Sequence, residues 1–487
     1  MTVGEQSLPR GWIKARLGDL IPKPRPKIPA NPDSRLPFIG MDHIEPSSFS
    51  LKGHDQFARM KSSGSYFEPG DVLYGRLRPY LNKVHCAKFE GVASAEFIVL
   101  PSSDCFDSDF IKYLIHQRKF VDYAMSHSSG DRPRVKFDDI ADYEFPLPPL
   151  NEQRRIVEKI ETLFARLDKG EEALREVQRQ LSTYRQLVLK AAVTGQLTAD
   201  WRAQNAHRLE QSRDLLERIL QTRRETWKGR SKYKEPVAPD TSDLPDLPEG
   251  WVWASLDELS VHLTSGSRDW KKYYGQGKGI FILAQNVRPM NFDLSQKFMV
   301  DPPPSSPDAL RSEVRRNDIL ITIVGANTGD VCRFPNDARG HYVCQSVALL
   351  RLADSSISPF VEMYLSGKGA GRDQLDNFIY GAGRPHLSFE QIRTVAVPIP
   401  SNEEQAQIML LVKEAFERVS RIDRICKTEL TRSAALRQSI LKDAFAGRLV
   451  PQDPNDESAA DLVARIKENR DVRSKRYRRQ STRKLAS

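Results

Sequence analysis

Apolar residues recur in steps of four and three along one stretch of the chain: Ile156, Ile160, Leu163, Leu167, Leu174, Val177, Leu181, Tyr184, Val188 and Ala191, with one interruption at Gly170. A heptad seam of this length, flanked by Glu, Arg, Gln and Lys, predicts a long amphipathic helix whose stripe needs a partner. About forty residues at 1.5 Å each make a rod on the order of 60 Å. A second seam runs Ile408, Val412, Ala415, Val419, Ile422, Cys426, Leu436 and Ile440, and is more polar because Glu429 and Ser433 break it. Each stripe must be buried, and each offers the other the nearest apolar surface. The two helices are therefore expected to pair as an antiparallel coiled coil.

Outside these seams the pattern shortens. Runs such as "DVLYGRL", "EFIVLP", "GIFILAQNV", "DILITIVG" and "YVCQSVALLRL", divided by Gly, Pro, Asn and Asp, predict short strands. Residues 106–126 and 358–378 carry helical spacing. The expected class is α+β, with two globular α/β-type domains separated by the two long helices.

The same units are written twice. "LPRGWIKARLGDL" from Leu8 returns as "LPEGWVWASLDEL" from Leu247, so that Trp251 follows Trp12 by 239 positions. "PGDVL" around Asp71 returns as "RNDIL" around Asp318, 247 positions on, and "GDRPRVKF" returns as "AGRPHLSF" at 252. The register then holds through "FPLPPLNEQRRIVEKIETLF" against "VPIPSNEEQAQIMLLVKEAF", and through "RQLVLKAAVTGQL" against "RQSILKDAFAGRL". A short helical echo follows each copy, at 209–227 and 456–474. The growing offset means that frame elements are kept while the loops between them change, as when one scaffold presents two binding surfaces. The prolines of each junction hold the chain extended before the long helix, and Asn151 and Asn402 are expected to act as the N-caps of the two long helices.

Composition narrows the partners. Seventy-four Lys and Arg against 64 Asp and Glu give a net charge of +10, which suits a polyanion. The five cysteines form no Cys-x-x-Cys pair, which points away from a zinc cluster or disulfide framework and toward a reducing, cytoplasmic setting. The start "MTVGEQSLPRGW" has no apolar signal core, and no membrane association is expected.

The doubled junctions, together with "GDVLYGRLRPYLNKV" and "TSGSRDWKKYYGQGKGIFILAQN", resemble the specificity (S) subunit of type I restriction-modification systems over roughly residues 8–455. That resemblance implies a first target recognition domain at 1–148, a first long helix at 149–200, and a short helix and linker at 201–244. A second target recognition domain at 245–400, a second long helix at 401–450, and a short helix with basic tail at 451–487 complete it. It further implies that each domain reads one half of a split DNA site and that the helices set the gap. On the same resemblance the helices would also recruit two methyltransferase (M) subunits, which restriction (R) subunits would join. S-adenosylmethionine, ATP and Mg would belong to those partners, with no cofactor bound by this chain. The competing reading is a coiled-coil scaffold whose two domains bind protein and which has no DNA specificity.

Lys and Arg serve phosphates, while Arg, Lys, Asn, Gln and His read base edges. Candidates in the first domain are Arg76, Arg78 and Lys83, with Tyr80 between them, then Arg132 and Arg134; His43 is weaker. In the second they are Arg268, Lys271 and Lys272 among Trp270, Tyr273 and Tyr274, then Gln285, Asn286, Arg288, Arg384 and His386. The recurrence of Arg132 as Arg384 favours a shared task, phosphate contact or fold support, over base discrimination. Trp12 and Trp251 are expected to be anchors rather than base stackers. "DPPPS" at Asp301 has Pro304 where an amino-methyltransferase motif needs an aromatic ring. No Gly-x4-Gly-Lys loop and no His-x-x-x-His pair is present, so no catalytic or metal residue is assigned.

Overall fold

The computed structural model describes residues 8–21, 23–227, 232–266, 270, 273–303, 305–381, 383–465 and 468. The chain forms two compact units, Met1–Arg175 with Lys427–Ser487, and Glu176–Cys426. Each unit holds one globular head and part of both long helices, so the compact units cut across the linear domain boundaries.

In the first head a five-stranded sheet has the order Lys27–Ile28, Gly64–Phe67, Gly91–Ser94, Pro37–Ile39, Asp55–Gln56. A three-stranded sheet beside it centres on Val72–Gly75, between Val84–Cys86 and Phe97–Leu100. The second head has a four-stranded sheet of order Ser260–Ser265, Val347–Leu352, Ile319–Thr322, Val331–Arg333, and a three-stranded one centred on Tyr274–Ile282. The repeat is visible in register: Leu73 opposes Val99 as Leu320 opposes Leu349, both antiparallel. Each head also has one parallel pair, Phe38 beside Val92 and Phe281 beside Tyr342. The helical stretches divide in two, Ser108–His116 with Arg118–Ser126 and Ser358–Ser366 with Gly371–Phe378, because Gln117 and Gly367 adopt extended backbone.

The repeated aspartates explain why "GDVL" and "NDIL" recur. Asp71 accepts from the Glu68 amide at 3.0 Å and from Arg25 at 2.8 Å. Asp318 accepts from the Arg315 amide at 2.7 Å and from Arg351 at 2.6 Å. Each is buried and closes the turn that starts a central strand.

The junctions are built alike. Ile13–Arg16 pairs with Glu144–Leu147 and Val252–Ser255 with Ala396–Ile399, placing Pro146 opposite Lys14 and Pro398 opposite Trp253. Two-stranded ribbons tolerate these prolines because no further strand needs their missing N–H. The long helices, Leu150–Val193 and Asn402–Ala444, start immediately afterwards. The expected Asn caps are not used: Asn151 lies inside the first turn, and Ser401 caps the second helix by accepting from the Glu404 amide at 3.2 Å. Gly195 and Gly447, at φ 70° and 69°, end the helices in the left-handed conformation that glycine adopts without steric cost.

Pairing of the long helices is antiparallel in each unit. In the first, Glu171 meets Ser433 at 2.7 Å and Asp168 meets Arg437 at 2.6 Å; in the second, Gln178 meets Asp423 at 2.8 Å and Arg185 meets Ser420 at 3.2 Å. Ile156, Ile160, Val188, Ile408, Val412, Val419 and Ile440 are buried as the seam requires. Leu163, Leu167, Leu174, Val177 and Leu181 are half-buried. Three expected seam residues are corrected: Ile422 is 41% exposed, and Leu436 and Tyr184 are each 46% exposed. The buried line instead follows Val412, Val419, Cys426, Ser433 and Ile440, one residue per heptad. Across from it stand Glu171, Gln178 and Arg185, whose polar ends bond across the pair instead of closing over a second apolar row.

Each head is closed by a short helix that follows the other copy's long helix. Ser212–Glu225 buries Leu215 and Ile219 in the second unit, with the Ser212 amide donating to Gly250 O at 3.4 Å. Residues 459–465 do the same in the first unit through Ala459 and Leu462, with the Ala459 amide donating to Gly11 O at 3.0 Å.

Candidate nucleic-acid interface

Strand Val72–Gly75 delivers Arg76 and Arg78 to a loop, and the segment carrying Arg132 and Arg134 lies against it. Leu77 bridges Arg134, Arg134 bridges Ser129, and the Arg78 amide donates to Pro133 O at 2.7 Å. The second head repeats this construction. Val324 bridges His386, His386 bridges Tyr380, and the Gly325 amide donates to Pro385 O at 3.2 Å. The Arg-Pro dipeptide recurs because its carbonyl closes the same bridge, while the side chains around it differ.

Arg78 and Arg132 are exposed and have no ion-pair partner among the described residues. Arg134 is engaged by Glu96 through two bonds of 3.2 and 2.8 Å. Arg76 is half-buried, its Nε enclosed without a partner. Lys83 is a correction: it is buried, donates to Met41 O, and burial pushes its pKa down, so it does not face a ligand. His43 accepts from the Gly40 amide at 2.9 Å and is a fold residue.

In the second head Arg384 is exposed, and His386 packs its ring 6.0 Å from Tyr380. Asn286 is the other correction. It is 2% exposed, accepts from the Leu283 amide at 2.9 Å and donates to Asp293 O and Gln296 O at 2.8 and 2.9 Å, leaving nothing for adenine. Gln285 is exposed and meets Gln296 at 3.2 Å; Arg288 lies 4.0 Å from Asp330. Arg268, Lys271 and Lys272 lie outside the described residues, as does the basic tail from Arg470. Trp270 packs on Phe281 at 5.7 Å and Tyr342 at 5.3 Å, and Tyr274 on Phe298 at 5.0 Å, so these rings build core.

Two features escape a reading of residue types. Trp12 Nε1 donates to Glu152 at 3.0 Å and Trp251 Nε1 to Glu404 at 2.9 Å, so each junction carboxylate is fixed to the repeated tryptophan. The parallel recurrence of Trp and Glu-Gln was the available signal. Tyr380 is 57% exposed on the Gly-Arg-Pro loop of the second head, and Tyr80 is 50% exposed on the loop that follows Val72–Gly75 in the first. The only trace of Tyr380 in sequence was its place before the second Gly-Arg-Pro.

A family model for the type I restriction modification DNA specificity domain matches residues 9–177. The specificity subunit of the type I restriction enzyme EcoDI of Escherichia coli is 31% identical over 170 residues, 34% of this chain and 38% of that one. The chain thus spans little more than a third of that relative's length. The EcoKI specificity subunit of Escherichia coli strain K12 is 23% identical over 498 residues, covering 95% of this chain and 96% of the relative.

Over residues 9–177 the chain matches that specificity domain, and over most of its length it is similar to type I specificity subunits.

A solved structure concerned with complex assembly and conformational transition of the type I R-M system matches with TM-score 0.66 at 20% identity. It covers 91% of this chain and all of that one, which shows a shared fold. No helix among the described residues is long and apolar enough to cross a membrane. No group of three or more His, Cys, Asp and Glu among them could hold a metal.

Proposed function

We propose that this chain is a specificity subunit that reads a split, asymmetric DNA site, one half with each head, within a type I restriction-modification complex. The observation that supports this most is the bridged loop pair: one backbone frame, used twice, carrying Arg76, Arg78, Arg132 and Arg134 in one head and Val324, Gly325, Arg384 and His386 in the other. One frame with two side-chain sets suits two different half-sites. The paired helices set the unread gap, half-sites on one face of the duplex lying about one helical turn or 34 Å apart.

Two methyltransferase subunits bind the helical part and restriction subunits join them in this reading. S-adenosylmethionine, ATP and Mg2+ belong to those partners, and the chain itself is non-catalytic. Sequencing of methylated adenines in cells that express the chain with its methyltransferase tests the proposal. One bipartite motif with unlike halves is expected. No motif, or one unchanged when residues 1–148 are exchanged for another first domain, overturns it.

A further inference from the structure

The turn Pro79–Leu81 is bracketed by Arg78 and Asn82, both in the left-handed region at φ 52° and 48°. Asn takes that conformation readily, but for Arg78 it is uncommon and is held where surroundings impose it, and such strain concentrates at functional positions. Here the imposition is explicit. The Arg78 amide is held by Pro133 O at 2.7 Å, Leu81 O accepts from the Ser47 amide at 2.8 Å, and Asn82 Nδ2 donates to His116 O at 2.8 Å. The turn buries Pro79 and holds the Tyr80 ring half in solvent. A strained turn that displays an aromatic ring two residues after the exposed Arg78, whose backbone is bonded to the segment of Arg132, has the components of a nucleic-acid contact: a π-face for a base or sugar and nearby charge for phosphates. In the second head Tyr380 stands on the matching loop pair, its backbone bonded twice to His386 and Gly381 following at φ 93°.

We propose that Tyr80 and Tyr380 are specificity-determining contacts, one in each head, each placing its ring against a base of its own half-site while the adjacent arginines hold phosphates. This rests on the reading that the heads recognise DNA, and the test separates the two. The full chain, assembled with its methyltransferase subunits, is compared as wild type, Tyr80→Ala, Tyr80→Phe and Tyr380→Ala. Binding is measured to the cognate duplex and to duplexes altered in one half-site, with a thermal melt of each protein.

Tyr80→Ala is expected to melt as wild type and to lose about tenfold in discrimination at the first half-site only, Tyr80→Phe to retain most of it, and Tyr380→Ala to lose it at the second half-site only. Equal weakening on every duplex would make the rings backbone contacts and overturn the assignment. So would unchanged discrimination with impaired assembly, which would make them protein contacts. A wild-type complex with no sequence preference would overturn the DNA reading itself.

Discussion

Replacing Trp12 by Phe removes the donor that reaches Glu152, whose other oxygen is already buried without a partner and whose pKa burial pushes up. Trp251→Phe is the same cut in chemical terms, yet Glu404 keeps Thr198 at 2.7 Å and Arg202 at 2.9 Å. An abandoned buried acceptor costs about 1–3 kcal/mol, so Trp12→Phe should destabilise more than Trp251→Phe by roughly that amount. Denaturant unfolding followed separately in the two units checks this, and equal shifts would count against it. His116 gives a pH prediction. Burial, then repulsion by Lys112, brings its pKa down to about 4. Below about pH 6.5 the unfolded chain takes up a proton that the folded chain refuses, so stability falls as pH drops from there to about 4, by on the order of 3 kcal/mol. Urea unfolding at pH 7 and pH 5 should show the loss, and His116→Leu should show less of it than wild type. At this scale the sequence was a poor guide. Lys83 and Asn286 have the right chemistry for DNA, but tertiary neighbours use their polar atoms, and nothing local announces that.

The helices show where a pattern suffices and where it stops. Their existence follows from the seams, because a long apolar stripe must be buried, and their antiparallel pairing from the duplication that relates the two copies. The middle of the second helix does not follow, since residues of apolar type occupy exposed positions there. Ile156→Ala and Ile440→Ala should therefore cost about 2–5 kcal/mol each, and Ile422→Ala and Leu436→Ala under about 1 kcal/mol. Chemical denaturation of the four variants distinguishes the buried line from the seam drawn on sequence alone; equal costs would restore the latter. The head strands were legible as hydrophobic runs punctuated by Gly, Pro, Asn and Asp. Their order was not, because sheet neighbours are chosen by contacts far apart in sequence.

For the whole molecule, the duplication was the most legible feature, and it carried the functional reading with it. Removing one heptad from each long helix, residues facing each other across the pair, should change the gap between half-sites that the assembled complex tolerates and leave both half-sites as they were. Methylation of a plasmid library with varied gaps measures this, and an unchanged gap would assign the spacing to something other than the helices. Which cations are free for a polyanion was less legible, because the same residue types serve as ion-pair partners, as Arg134 does with Glu96.

The division of the chain also fixes a timetable. The second unit is one continuous span, 176–426, whereas the first is split around it. Phe110 must wait for Phe445, which it meets at 5.0 Å, and Arg155 for Asp456, 301 positions later. On the ribosome, then, the head that emerges first is completed last. Until the segment beyond 427 is made, its apolar face stays open to whatever chaperone or neighbouring nascent chain can cover it.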